Sequence, residues 1–259
     1  MPAVLTPDSP LALKVIPTPN QGERKGGRRP DILLIHYTGM PDAASALQRL
    51  ADPLAEVSCH YVVLEDGRIF QMVSEAARAW HAGVSSWAGD TDVNSASIGV
   101  EVVNPGPDGG YPDFPEPQID AVTKLGLDIV SRWRMPADRV LAHSDVAPGR
   151  KIDPGEKFPW ERLHRAGLGH WTPPAPLGDG RSFGPGDEGQ PIQALQAMFA
   201  MYGYGLEISG VYDPRTEAVV AAFQRHFRPA LVDGIADAST ITTLRDLIRS
   251  RPQPSAASA

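Results

Sequence analysis

Residues 57–73 read VSCHYVVLEDGRIFQMV, and this stretch decides the fold class. Two runs rich in β-branched and aromatic residues, 57–64 and 68–73, are separated by Glu-Asp-Gly at 65–67. An Asp-Gly pair between two such runs is a strong hairpin signal, because both residues tolerate the positive φ of a tight turn. The stretch therefore predicts two antiparallel strands.

The segments around this hairpin alternate between strand-like and helix-like patterns. Short apolar runs at 31–37, 97–103 and 139–142 have the length of buried strands. The segment 43–51 has helical composition, and 119–133 places its apolar residues on one helical face. Strands that alternate with helices and include one hairpin predict a mixed α/β fold, in which helices flank a central mixed β-sheet.

The chain changes character near residue 169. Prolines and glycines are dense over 169–188, where they interrupt regular hydrogen bonding and indicate a linker. Three amphipathic stretches follow, at 191–201, 214–227 and 239–249, and they predict a small three-helix bundle. We expect four segments, in order: an N-terminal domain 1–170 with its core at about 28–168, a linker 171–188, a helical domain 189–250 and a flexible tail 251–259.

The composition argues against two classes of protein. Because 24 Lys and Arg stand against 31 Asp and Glu, the formal net charge is −7, which does not suit non-specific binding of nucleic acid. No segment approaches the roughly 20 apolar residues of a membrane span. The basic run 24–29 lies in a glycine-rich stretch, so we expect a solvated loop. The one cysteine, Cys59, is expected to be a small buried side chain.

The first ten residues, MPAVLTPDSP, do not look like a secretory signal, because they lack a basic start and a long apolar core. If the chain is complete, this predicts a cytoplasmic protein. If an export signal has been removed, a periplasmic location is expected instead.

Two histidines and an aspartate give a dispersed signal for a metal site. His36 and His143 each end a predicted strand, and Asp153 follows His143 across a loop with glycine and proline. Two imidazoles and one carboxylate leave the fourth tetrahedral position open for water, as catalytic zinc requires. On spacing alone, the alternative that His143 and Asp145 only cap the following turn stays open.

Four segments carry a resemblance to a known family, those around His36, His60, Glu101 and His143. They resemble the zinc-dependent N-acetylmuramoyl-L-alanine amidases, which share the peptidoglycan-recognition-protein fold. The resemblance covers about residues 31–160, and its most specific part is HSDVAPGRKIDPG at 143–155, followed by FPW at 158–160.

The resemblance implies a Zn²⁺ cofactor and a set of active-site residues. The family's zinc ligands fall on His36, His143 and Asp153, its catalytic carboxylate on Glu101 and its catalytic lysine on Lys151. In that scheme Glu101 moves the proton between water and the leaving amine, and Lys151 stabilises the oxyanion. A carboxylate in an otherwise apolar strand is costly unless it has such a task.

Further positions match the family near the substrate, each with local packing as the alternative. These candidate substrate contacts are Tyr37, His60, Trp80, His81 and Asn94. Tyr37 directly follows a ligand, so strand alternation predicts that it points to the opposite face. Trp87 could stack on a sugar or cover the core.

The C-terminal part resembles the three-helix peptidoglycan-binding module of many cell-wall hydrolases, although the bulky basic insert at 225–229 departs from it. A packing or dimerisation appendage is the alternative, and the oligomeric state stays open.

The predicted function is hydrolysis of the amide between N-acetylmuramic acid, including its 1,6-anhydro form, and L-alanine in cell-wall turnover or recycling. The alternatives are an inactive peptidoglycan-binding protein, an exported amidase acting on polymeric wall, and another zinc hydrolase of the stem peptide. Since every candidate catalytic group precedes the linker, residues 1–175 are expected to fold and to retain hydrolysis of small muropeptides.

Overall fold

The structure is a computed structural model, and it describes residues 6–252. The compartment expectation rests partly on residues 1–5, and the predicted flexible tail falls largely on residues 253–259; both segments lie outside the described residues. No helix within 6–252 is long and apolar enough to cross a membrane.

The central element is a six-stranded sheet. The strands formed by residues 6–252 are, in chain order, β1 (Lys14–Val15), β2 (Gln21–Glu23), β3 (Ile32–Tyr37), β4 (Tyr61–Val63), β5 (Ile69–Gln71), β6 (Ala77–Ala79), β7 (Ser97–Val102) and β8 (Val140–Ala142). The sheet has the order β1-β5-β4-β7-β3-β8, while β2 and β6 form a separate antiparallel pair. In the large sheet, β4 and β5 are antiparallel and the other neighbours are parallel. The predicted mixed sheet is confirmed.

Helices cover the sheet and form the C-terminal bundle. In the described part of the chain the α-helices are α1 (Ala43–Ala51), α2 (Val93–Ala96), α3 (Glu116–Trp133), α4 (His143–Val146), α5 (Trp160–Arg165), α6 (Gln190–Tyr202), α7 (Pro214–Phe227) and α8 (Ala238–Ser250). The last three are the bundle, and each ends within one residue of its predicted bounds. α3 begins before residue 119, because Pro117 is tolerated in a first helical turn, where its missing N–H costs nothing.

Apolar side chains fill both faces of the sheet. Residues 32–35 of β3 are completely buried, and α3 packs on their cluster with Ile119, Val122, Leu125 and Ile129. A second cluster joins the α1 residues Ala46 and Leu50 to Val62, Phe70 and Met72. The sheet is thus a buried layer, and its polar chemistry is confined to its edge.

The predicted linker contains no helix or longer strand, yet it is bound to the bundle. The Ala175 N–H donates to Thr243 Oγ1 at 3.0 Å, and Ser239 Oγ donates to the Ala175 carbonyl at 2.6 Å. Trp171 is buried, and the backbones of Phe183 and Ala236 form an isolated antiparallel β-bridge. The first half of the segment therefore lies along α8.

The basic run 24–29 is not a solvated loop throughout, because Arg24 is buried. Its guanidinium donates to the carbonyl oxygens of Glu75, Ser95 and Ser97, at 2.8–3.1 Å. Burial lowers the pKa of Arg24 to about 10. The fork of five N–H donors suits a place where several carbonyls converge.

The turn between β4 and β5 requires glycine. Gly67 has a φ of 84°, and its N–H donates to the Leu64 carbonyl at 2.9 Å. A Cβ at this position would lie 2.7 Å from the carbonyl oxygen of Pro117, in the first turn of α3. The hairpin and α3 can approach this closely only because residue 67 has no side chain.

We predict that Gly67→Ala lowers the free energy of unfolding by about 2–4 kcal/mol, roughly half from the positive φ and half from the contact with Pro117. Gly26→Ala is the matched control, since Gly26 also has a positive φ, of 66°, but nothing within 4 Å of an added Cβ. It should lose only about 1–2 kcal/mol. Urea denaturation of the two variants and the wild type measures the difference, and equal losses would contradict the packing argument.

Candidate metal centre and active site

Three parallel strands end side by side at one edge of the sheet. In the register of β3 and β7, His36 lies directly opposite Glu101. Ile35 lies opposite Ala142 of β8, so His143, the first residue of α4, comes next to His36. The carboxyl ends of parallel strands are where α/β sheets bind ligands. Parallel pairing thus gathers residues that are far apart in the chain.

Asp153 completes a triangle of side-chain atoms with the two histidines. The Nδ1 atoms of His36 and His143 are 2.9 Å apart, and Asp153 Oδ2 lies 3.0 Å and 2.9 Å from them. All three residues are buried. Zinc bonds of about 2.0–2.1 Å place tetrahedral ligands roughly 3.3 Å apart, close to these separations. The Ser144 N–H donates to the Asp153 carbonyl at 3.0 Å and closes the loop between His143 and Asp153.

The outer nitrogen of His143 fixes the tautomer of the ring. His143 Nε2 lies 3.0 Å from the carbonyl oxygen of Ala82. A carbonyl only accepts, so Nε2 carries the proton and donates it, and Nδ1 directs a lone pair towards the triangle.

The tautomer of His36 is set by a longer chain of hydrogen bonds. Ser97 Oγ donates its one proton to the Val93 carbonyl at 2.6 Å, so it must accept from His81 Nε2 at 3.2 Å. His81 Nδ1 is then an acceptor, and His36 Nε2–H donates to it at 3.0 Å. The Nδ1 of His36 is left with a free lone pair.

Three acceptor atoms therefore face one another with no donor between them. Burial lowers the pKa of His36 to about 4, assisted by the charge of His143, so the ring is neutral at pH 7. Neutral imidazole and carboxylate are the forms that bind zinc. Lone pairs this close repel one another unless a cation lies among them, so the donor set fits a three-ligand metal site.

A cavity of about 490 Å³ opens over the triangle, and Glu101 and Lys151 line it. Glu101 Oε2 is buried and has no hydrogen-bond partner within residues 6–252. Burial, reinforced by the charge of Asp153, raises the pKa of Glu101 well above its usual range, although Lys151 opposes the shift. A carboxyl group with a raised pKa can both accept and return a proton near neutral pH.

Three of the candidate substrate contacts border this cavity: Tyr37, Trp80 and His81. Tyr37 does so despite the alternation of side chains along a strand. It is the last residue of β3, and its ring lies edge-on to Tyr111, 6.3 Å between centroids, at the edge of the sheet.

His60 and Asn94 do not border the cavity. His60 is completely buried, and its Nδ1 accepts the Gly99 N–H at 2.9 Å. Asn94 Oδ1 accepts the N–H groups of His81 and Ala82, at 3.0 Å and 2.8 Å. Both residues therefore hold the backbone behind the site in place instead of reaching the cavity.

Two residues that the sequence interpretation did not single out support the site. Ser97 orients His81, and no sequence pattern marks it. Arg150 borders the cavity and donates to the carbonyls of Ala82 and Val84. Arg150 lies inside the stretch 143–155, the most specific part of the resemblance, and this position could have identified it from the sequence. Trp87 does not reach the cavity and is buried against Tyr204 of the bundle, with ring centroids 5.0 Å apart.

A three-ligand centre beside a buried carboxyl group is the arrangement of a metal-dependent hydrolase. Residues 26–156 match the family described as N-acetylmuramoyl-L-alanine amidase, and residues 188–244 match a peptidoglycan binding domain. The chain belongs to the N-acetylmuramoyl-L-alanine amidase family, as the resemblance predicted.

Several relatives match this chain over more than its amidase segment. The N-acetylmuramoyl-L-alanine amidase AmiD of Escherichia coli is 38% identical over 222 residues, which is 81% of this chain and 79% of AmiD. The solved complex of AmiD from E. coli with the substrate anhydro-N-acetylmuramic acid-L-Ala-D-gamma-Glu-L-Lys matches with a TM-score of 0.73 and 37% identity, covering 87% of this chain and 91% of that one. AmpDh3 from Pseudomonas aeruginosa in complex with anhydromuramic pentapeptide matches with a TM-score of 0.69 and 33% identity, covering 85% and 92%.

We predict that His81→Phe lowers zinc affinity about 10- to 100-fold, because His36 Nε2–H loses its acceptor and the ligand its fixed tautomer. Competition with a chromophoric chelator measures this affinity. Trp80→Phe is the control, since Trp80 borders the same cavity but makes no hydrogen bond to a ligand within residues 6–252. Wild-type affinity in the His81 variant would mean that the chain of hydrogen bonds does not orient His36.

Proposed function

We propose that this protein is a zinc-dependent amidase that hydrolyses the bond between N-acetylmuramic acid, including the 1,6-anhydro form, and L-alanine in cell-wall turnover or recycling. The observation that carries the proposal is the convergence of three acceptor atoms beside Glu101 in a chain of this amidase family. His36, His143 and Asp153 would hold the metal. Bound zinc would supply an activated water and polarise the amide carbonyl.

Glu101 is proposed to move the proton. Its buried Oε2, without a hydrogen-bond partner in the described residues, accepts a proton from the attacking water. The carboxyl group holds this proton until the C–N bond breaks. The proton then passes to the alanine nitrogen as the C–N bond breaks. The second proton of the consumed water leaves the new lactyl carboxylic acid and is taken up by the amine, so that a lactyl carboxylate and an alanine ammonium group are produced.

Lys151 is proposed to stabilise the charge that develops on the amide oxygen. It lines the same cavity as Glu101, is half-buried, and lies two residues before the ligand Asp153. An ammonium group in a partly dry cavity interacts more strongly with a developing oxyanion than it would in water.

Soluble anhydro-muropeptides are the substrates we favour, because the solved complexes of AmiD and AmpDh3 contain anhydromuramyl peptides. The match of residues 188–244 to a peptidoglycan binding domain supports a second candidate, hydrolysis of polymeric wall. Comparing digestion rates of intact sacculi and of a soluble anhydro-muropeptide decides between them. Faster release of peptide from sacculi would favour the second candidate.

We predict that a defined anhydro-muropeptide yields two products, anhydro-N-acetylmuramic acid and a peptide with free N-terminal alanine, identified by mass spectrometry. Chelation should abolish the reaction and added zinc should restore it, since the site supplies only acceptor atoms. His143→Ala should lose both metal and turnover.

Two results would contradict this function. Full activity in protein shown by elemental analysis to be free of metal would exclude the mechanism. Product masses that correspond to cleavage within the peptide would instead indicate another zinc hydrolase of the stem.

We predict that Glu101→Ala and Lys151→Ala retain zinc and lose about a hundredfold to a thousandfold in kcat, the usual cost of losing a proton-transfer group or an oxyanion donor. Lys124→Ala, on the exposed face of α3, is the control for removing a positive charge. Zinc content is measured beside the kinetics. A variant that turns over like the wild type with unchanged zinc would show that its residue has no part in the chemistry.

A further inference from the structure

A buried carboxylate lies directly behind the metal-ligand segment. Asp145 follows His143 by two residues in α4, and its side chain has 0% exposure. Its Oδ2 accepts the Ala142 N–H at 2.8 Å, which holds the turn that carries His143. A carboxylate removed from water needs several donors to offset the lost hydration. Within the described residues, the amidase segment supplies one such donor, the Ala142 N–H.

The bundle supplies the other two donors found in the described part of the chain. Tyr204, just after α6, donates its hydroxyl to Asp145 Oδ1 at 2.7 Å. His226, near the end of α7, donates from Nδ1 to Asp145 Oδ2 at 2.6 Å. Both donors are buried. The hydrogen bonds therefore cross from the helical domain to the base of the candidate metal centre.

Both donor side chains are held rigidly. The His226 ring stacks between Trp160 and Phe227, with both centroid distances 3.8 Å. The Tyr204 ring packs edge-on against Trp87 at 5.0 Å. At Gly203 an added Cβ would lie 2.6 Å from the Trp87 ring, so the two domains approach too closely for any side chain at residue 203.

The bundle also contacts the loop between the two later ligands. Arg215 Nη1 donates to the Pro148 carbonyl at 3.1 Å. A Cβ at Gly149 would lie 3.1 Å from the Cβ of Ala218 on α7. The segment 143–153, which includes Lys151, is thus supported by the bundle both at its start and in its middle.

We infer that the C-terminal bundle is a positioning element of the metal site, an inference that rests on the metal assignment in the proposed function. Tyr204 and His226 are its positioning residues. By satisfying Asp145 they fix α4 and so fix the direction in which His143 Nδ1 points. The bundle resembles a wall-binding module, but here it contributes to metal affinity through contacts made inside the protein. Residues 1–175 alone would leave Asp145 with one donor, so they are not expected to retain the site.

Tyr204→Phe tests this inference in the full-length protein, because it removes only the hydroxyl that bonds Asp145. Tyr202→Phe is the matched control: it removes an equally buried hydroxyl of the same bundle, whose partner is His170 Nδ1 at 3.0 Å. His226→Phe is a second test variant that keeps an aromatic ring in the stack.

We expect Tyr204→Phe and His226→Phe to lower zinc affinity about tenfold, the lower end of the effect of outer groups that orient metal ligands. Tyr202→Phe should keep wild-type affinity. The two test variants loaded with Co²⁺ should also show a shifted visible absorption spectrum, which general loss of stability would not produce. Chelator competition gives the affinities, and thermal unfolding of the metal-free proteins gives the stability.

Wild-type zinc affinity and Co²⁺ spectrum in both test variants would overturn the inference. It would also be overturned if all three variants lost affinity in proportion to their loss of thermal stability. A wild-type protein that binds neither Zn²⁺ nor Co²⁺ would overturn the proposed function itself, and the positioning role with it.

Discussion

The candidate metal site depends on a fold that holds three acceptor atoms, which repel one another, about 3 Å apart. No hydrogen-bond donor lies between these atoms, which are Nδ1 of His36, Nδ1 of His143 and Oδ2 of Asp153. The surrounding structure must therefore keep them from moving apart. The buried parallel strands fix the Cα positions, and hydrogen bonds on the outer ring nitrogens fix the rotations. The site is therefore prepared for a cation by the fold, and little reorganisation is needed when one binds.

The polar residues at the cavity and behind it differ in how their hydrogen-bonding groups are used. His60 and Asn94 bond backbone groups: His60 Nδ1 accepts the Gly99 N–H, and Asn94 Oδ1 accepts the N–H groups of His81 and Ala82. Glu101 differs, because one carboxylate oxygen has no partner within residues 6–252. An unsatisfied buried oxygen is unfavourable for stability, and its retention beside the candidate metal site fits a catalytic task better than a structural one.

The helical bundle changes how the two matched domains should be regarded. Their family matches are separate along the sequence, at 26–156 and 188–244, and a proline-rich segment joins them. In space, however, Tyr204 and His226 share one buried carboxylate with the turn that carries His143. Such a junction is far more specific than an apolar contact between independent modules, because displacing it would deprive Asp145 of two of the three donors found in the described residues.

The sequence by itself determined the mixed sheet, the hairpin at Gly67, the three bundle helices and the family, because these depend on local periodicity, turn chemistry and a continuous motif. It also indicated His36 and His143, since each lies at the end of an apolar run, and Glu101, since it is a carboxylate within one. Only the tertiary structure decided that Arg24 is buried, that His60 lies behind the cavity, and that Asp145 is bound by the bundle. These outcomes depend on which distant carbonyls and donors the packing brings within 3 Å of a side chain. A local sequence pattern cannot show these contacts, because partners such as Asp145 and His226 are 81 residues apart.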